Sequence, residues 1–225
     1  MHIKYFYYKE TCKMENPTEI RNEKLAQKLI KNLSQRHYDA YYCKTSQDAL
    51  DKALQIIPQG SSVSWGGSAT LNEIGLIKVL KDGNYKVYDR ENSATQKEKR
   101  EMSLKAFDCD YYLSSVNAMS EDGVFVNIDG SGNRVAAITW GPEHVILVVG
   151  INKICQDVDA AIKRARSTAA PINTARFDVK TPCIIDGTCH DCKSADSICA
   201  YVSIQRLSRP AKRHIVILVG EDLGY

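Results

Sequence analysis

Short extended runs alternate with amphipathic helical runs along most of this chain, and that alternation admits few folds. Residues 38–43, 61–65, 85–89, 111–115, 144–149 and 215–219 read as strands, rich in aromatic and β-branched side chains. Helical patterns lie between them. Asn16-Pro17-Thr18-Glu19 has the form of a helix start, followed by a stripe of Leu25, Ala26, Leu29, Ile30 and Leu33. A second helix opens at Ser46, turns Ala49, Leu50, Ala53, Leu54 and Ile57 inward, and ends before Gly60. Thr70-Leu71-Asn72-Glu73 has capping-box form, and its helix is expected to run to Gly83. The charged run 95–107 reads as a surface helix. Residues 157–169 carry Val158, Ala161, Ile162 and Ala165 on one side. Strands separated by helices imply βαβ units, hence an α/β fold with a mostly parallel sheet and helices on both faces.

Two departures from the alternation are expected. Val124, Val126 and Ile128, the turn Asp129-Gly130-Ser131-Gly132-Asn133 and the run 135–139 read as a β-hairpin insertion. Residues 171–213 form a Cys-rich excursion before the last strand. The whole, 1–225, reads as a single domain: a main body over 16–170, the cysteine segment over 171–213, and a final strand and tail over 214–225.

With 44% hydrophobic and 25% charged residues, collagen-like and disordered classes are excluded. A net charge of +3 is too small to imply a nucleic-acid or membrane partner. Arg206, Arg209, Lys212, Arg213 and His214 are basic, but only Tyr201 is interleaved for stacking, so a solvated face is expected there. The longest apolar run, 145–149, is far shorter than a membrane span, and the start MHIKYFYYKE lacks signal-peptide form. A cytoplasmic protein is expected. The pattern leaves a homo-oligomer open.

Half of the eight cysteines, Cys183, Cys189, Cys192 and Cys199, fall within 17 residues. In a reducing compartment such a cluster reads as a metal site before it reads as disulfides. Four thiolates are the full complement for Zn2+ or for a [4Fe–4S] cluster, and Cys189-His190-Asp191-Cys192 supplies the C-x-x-C step around one metal corner. His190 reads as an exposed knuckle residue. Cys12, Cys43, Cys109 and Cys155 read as small apolar core residues.

The second cluster of interest is Ser64-Trp65-Gly66-Gly67-Ser68-Ala69-Thr70, between a strand and a helix start. Gly66 and Gly67 permit a tight turn, and Ser68 and Thr70 add hydroxyls, so the loop can cradle an anion. It is neither a phosphate-binding Walker loop nor the dinucleotide fingerprint. In a parallel sheet, the loop of Asn117, Glu121 and Asp122 is expected at the same ligand-binding edge, as is Lys153, while Asn133 and Arg134 leave the Gly-rich turn. Arg134 could clamp an anion. Glu121 or Asp122 is a candidate general acid or base.

Taken in order, Gly66 to Leu76, Asn117-Ala118 with Glu121-Asp122-Gly123, Asp129 to Ala136, Gly141-Pro142 with Asn152-Lys153, and the cysteine segment resemble the LUD-domain family. That family is named for lactate utilization and is also called DUF162. The resemblance implies a fold similar to the sugar-phosphate isomerase and CoA-transferase superfamily. It also implies a part in oxidising L-lactate to pyruvate, alongside partner proteins that carry iron–sulfur centres, and it favours a [4Fe–4S] cluster over zinc on the four cysteines. Three readings stand: a redox-associated subunit that binds a small anionic metabolite; an isomerase- or transferase-type enzyme acting through Glu121 or Asp122, with structural zinc; and a metabolite-sensing, partner-binding module.

Overall fold

The computed structural model describes residues 16–225. Cys12 and the opening decapeptide lie outside the described residues.

The first helix, α1 (Pro17–Gln35), is capped by Asn16, whose side chain accepts from Thr18 N. Its face of Leu25, Ala26, Leu29 and Leu33 is buried. Strand β1 (Asp39–Cys43) follows, then α2 (Ser46–Ile56). Thr45 caps α2 in a reciprocal box with Asp48. Strand β2 (Ser62–Trp65) leads into α3 (Ala69–Glu73) and α4 (Leu76–Asp82). The single helix expected to Gly83 is therefore two. Gly75 sits in the left-handed region at φ 75° and breaks the path. The cap is Ser68 rather than Thr70, since the Ser68 hydroxyl accepts from Leu71 N.

The next elements are β3 (Lys86–Tyr88), α5 (Gln96–Lys105), β4 (Tyr111–Ser114), β5 (Ala118–Ser120) and β6 (Phe125–Asp129). Then come α6 (Asn133–Thr139), β7 (His144–Gly150), β8 (Ile154–Cys155), α7 (Val158–Arg164) and α8 (Ala170–Thr174). A π-helical turn, Ala165–Ala169, joins α7 to α8. The chain closes with α9 (Pro182–Asp186), β9 (Tyr201–Gln205) and β10 (His214–Val219).

Six strands form one parallel sheet, in the order β1-β10-β7-β4-β2-β3. The two central strands bury both faces, as parallel strands between helical layers must. Val145, Leu147, Val149, Val216 and Leu218 meet α1 and α6 on one side. Ile146, Val148, Ile215, Ile217 and Val219 meet α2, α3 and α4 on the other.

The hairpin expected across residues 124–139 is not formed. Val135–Thr139 belongs to α6, which starts behind Gly132 at φ 78°. The Asp129 carboxylate accepts from Ser131 N, Arg134 N and Val135 N, so the turn nucleates a helix instead of a return strand. The antiparallel partners of β6 are β5 before it and β9 from the cysteine segment. They form a second sheet, β8-β5-β6-β9, which packs Ala118, Val126 and Ile128 on Ala161 and Ala165.

Candidate functional site

Strands β2 and β4 lie side by side, but the chain leaves them in opposite directions. From β2 it proceeds to β3 at the sheet's edge; from β4 it proceeds toward β7 and β10. Such a reversal opens a crevice outside the carboxyl ends of the two strands. A cavity of about 780 Å³ occupies this place. Seven of the residues singled out from the sequence line it together: Gly67, Ser68, Thr70, Asn117, Asn133, Arg134 and Lys153.

Lys153 lies deepest in chemical terms. It follows β7, is 2% exposed, and donates from Nζ to Thr70 Oγ1 at 2.8 Å and Ser115 Oγ at 2.9 Å. No carboxylate comes within ion-pair distance of it among the described residues. Burial pulls its ammonium down to about 7, Arg164 and Arg134 add to that, and Glu73 opposes it. Leu223–Gly224 covers the site. A Cβ on Gly224 would stand 3.2 Å from Lys153 Nζ, and Asn152 ties this segment down through Leu223 N and Gly224 O.

Arg134 also reaches the cavity, but its donors are occupied. It donates to Ser115 O, Asn127 Oδ1, Asn117 Oδ1 and Ile128 O at 2.7–3.3 Å, with Asp129 Oδ2 3.8 Å from Nε. Its work is to lock the loop after β4 to the turn after β6. Gly66 makes room for it: a Cβ there would meet Arg134 Cγ and Cδ at 2.7 Å. Gly66 is thus buried under the site and does not line it. The Ser68 hydroxyl is likewise taken up by the α3 cap, and α3 has only five residues. The loop's contribution is shape and the Thr70 hydroxyl.

The rim carries residues that the sequence did not single out. Arg90, Lys99, Arg100 and Arg176 join Arg134 and Lys153 as lining cations, against the carboxylates Glu91 and Asp129. Arg90 Nε is buried without a hydrogen-bond partner among the described residues. Arg176 donates to the Tyr225 hydroxyl at 2.8 Å. The run 95–107, read only as a solvated helix, turns Lys99 and Arg100 toward the crevice. Its excess of Lys and Arg was the available signal.

Glu121 and Asp122 are elsewhere. They form the turn of the β5–β6 hairpin, where Glu121 pairs with Lys28 and Asp122 with Arg36 of the α1 end. Neither lines the cavity.

The seven described cysteines are all free thiols. Cys183 lies in α9, with Sγ 3.3 Å from Thr181 Oγ1. The Cys199 thiol is pushed up, first by desolvation and then by the charge of Cys189, Cys183 and Cys192. Cys183, Cys189 and Cys192 are thus each near enough to act on Cys199. Among the described residues no three Cys, His, Asp or Glu side chains are drawn into a formed metal site. His190 is engaged by Asp186, 2.7 Å from Nε2. The segment touches the crevice: Ile198 lines it, and its backbone lies 3.0 Å from where a Cβ on Gly130 would stand.

Fold and crevice together define an α/β protein with a basic crevice at the carboxyl edge of a parallel sheet. The LUD domain family model matches residues 26–219, and the chain belongs to that family, which is associated with lactate utilization. A DUF162 family protein from Deinococcus radiodurans shares the fold, with a TM-score of 0.50 at 11% identity, over 88% of this chain and 97% of that one. Lesser likenesses are to the translation initiation factor eIF-2B of Pyrococcus horikoshii OT3 and to eIF2B delta from Chaetomium thermophilum. The first has a TM-score of 0.34 at 14% identity, over 49% of this chain and 47% of that one. The second has a TM-score of 0.33 at 14% identity, over 64% and 57%. No curated protein matches the sequence. No helix among the described residues is long and apolar enough to cross a membrane.

Proposed function

We propose that this chain is a lactate-utilization component that binds a small carboxylate-bearing metabolite in the crevice outside β2 and β4. One observation carries the reading. Lys153 is buried on the cavity wall with two hydroxyl partners and no carboxylate. An ammonium held this way is stabilised when an anion enters, because the ligand supplies the missing countercharge in a poorly screened setting. The unpartnered Arg90 Nε and the basic rim support the same ligand class. In this reading Lys153 meets the carboxylate or the oxygen beside it. Thr70 and Ser115 hold Nζ in place, and Leu223–Gly224 excludes water. Calorimetric titration with L-lactate, pyruvate and inorganic phosphate tests it. Saturable binding of either organic acid supports it, and no heat with all three rejects it.

The second part of the proposal is an iron–sulfur centre on Cys183, Cys189, Cys192 and Cys199. The donor chemistry supports it: four free thiols within 17 residues, three of them acting on the fourth, Cys199. Zn2+ takes the same donors, and the redox setting of lactate oxidation favours iron. When bound, such a cluster supplies one-electron transfer, with iron–sulfur partner proteins as the next carriers. Ile198 would then fasten the centre's segment to the crevice wall. Iron and sulfide analysis of protein prepared without oxygen tests this part; a colourless protein with one tight zinc rejects it.

A further inference from the structure

Lys153 offers chemistry beyond charge. A lysine that serves only as a cation is ordinarily protonated, and when buried it normally brings a carboxylate with it. Among the described residues Lys153 has no such carboxylate, and burial leaves it only partly protonated near neutral pH. Its Nζ is enclosed by Thr70 Oγ1 from α3, Ser115 Oγ from the loop after β4, and Gly224 from the segment after β10. The charged groups that act on it are Arg164 of α7, Arg134 of α6 and Glu73 of α3. Two of these are cations. The third, Glu73, accepts from Gly224 N at 2.6 Å, beside the site but outside ion-pair distance of Nζ. Arg164 is fixed by Asn152 O and Asn117 O, so it stays close without replacing Lys153 at the hydroxyls.

We propose that Lys153 is a covalent site for 2-oxo acids, its neutral amine condensing with the ligand's carbonyl carbon to form an imine. This rests on the reading of the crevice as an organic-acid site and extends it. The lone pair of Nζ forms the new carbon–nitrogen bond, and the carbonyl π pair moves to oxygen. A proton leaves nitrogen and reaches that oxygen, with the Ser115 or Thr70 hydroxyl as relay. A second proton then passes from nitrogen to the carbinolamine hydroxyl by the same relay, the carbon–oxygen bond breaks, water departs, and the nitrogen lone pair completes the C=N bond. No electrons are gained or lost overall, and hydrolysis reverses the step.

Three features support it. Burial among cations without an ion-pair partner keeps a large share of the amine neutral near neutral pH, which an imine-forming lysine requires. Two hydroxyls stand within 2.9 Å of Nζ, on elements that Arg134 and the Ser68 cap hold still. The amine borders a cavity of about 780 Å³, large enough for a three-carbon acid and water.

The test is reductive trapping. The full chain is incubated with pyruvate and borohydride, and modified peptides are mapped by mass spectrometry. Calorimetry with pyruvate and L-lactate runs in parallel. Expected are one reduced pyruvyl group on the Lys153 peptide, none with L-lactate, and several-fold more trapping a pH unit above neutrality than a unit below. Lys153→Met and Lys153→Arg, each shown folded by circular dichroism, give no adduct. Ser115→Ala binds pyruvate but traps it on the order of 100-fold more slowly. If pyruvate binds without labelling Lys153, or labels exposed lysines equally in Lys153→Met, the imine is overturned and the organic-acid reading survives. If neither acid binds, both fall.

Discussion

Lys153 Nζ stands 2.9 Å from Ser115 Oγ, joining the loops that leave β7 and β4 across the carboxyl edge of the sheet. The contact ties stability to alkaline pH. Lys153 titrates near 7 in the fold but near 10.4 when unfolded. Between those values the unfolded chain binds the extra proton. Stability is therefore full above the unfolded value, falls as pH drops toward 7, and is flat below it. Lys153→Met removes the buried charge. The variant should be more stable than the parent below pH 7, by about 2–4 kcal/mol, with the gain shrinking through the alkaline range. Urea denaturation on both sides of that range checks this.

A second titration lies in the acid range. His214 is buried; its Nε2 is 2.8 Å from Ile138 O and its Nδ1 3.0 Å from Ser208 Oγ. Desolvation, with Arg213 beside it, lowers the imidazole to about 4, although the Ile138 carbonyl opposes this. The folded state is then short of a proton between about 4 and the ordinary value near 6.5, so stability falls as pH drops through that window. The loss should approach about 3 kcal/mol at its lower end. His214→Gln should flatten the acid limb measured by denaturation.

Arg134 and Gly66 form one structural unit. Arg134→Met removes four hydrogen bonds and leaves Asn127 Oδ1 without its side-chain donor, while Asn117 Oδ1 keeps Ile128 N and Ser115 O keeps the Ser114 hydroxyl, a cost of about 3 kcal/mol. Gly66→Ala should cost about 1–2 kcal/mol, because the new methyl displaces Arg134 from its place over the glycine. Both variants should also weaken binding of organic acids, since Asn117 and Ser115 lose their anchor. Guanidinium denaturation and calorimetry on the same samples check the pair.

The cysteine segment makes its own prediction. Replacing any one of Cys183, Cys189, Cys192 or Cys199 by serine should remove most of the bound metal and its visible absorbance. Cys109→Ser and Cys43→Ser should leave the metal in place, since both thiols are buried in the main core. Metal analysis of anaerobically prepared variants decides it.

The parallel body was legible because its strands are continuous apolar runs and its helices carry caps and stripes. Val145–Val149 and Ile215–Val219 could be buried on both faces only between helical layers. The second sheet was not legible. Strand β5 has three residues and β8 two, and β9 exposes Tyr201, Val202 and Ile204, so its outline lacks a buried face. The false hairpin came from reading Asp129-Gly130-Ser131-Gly132-Asn133 as a turn without counting the three amides that Asp129 accepts. Lys153 was legible as a position at the sheet edge. Its burial was not, because the residues that cover it come from Thr70, Ser115 and Gly224, all distant in sequence.

The central claim is that Lys153 is the countercharge of an organic acid held outside β2 and β4. The most direct measurement is the calorimetric Kd of pyruvate for the parent chain and for folded Lys153→Met at neutral pH. The account predicts saturable binding to the parent, weakened about tenfold or more by the substitution, equivalent to roughly 1.4 kcal/mol. Equal affinity in the two proteins would contradict it.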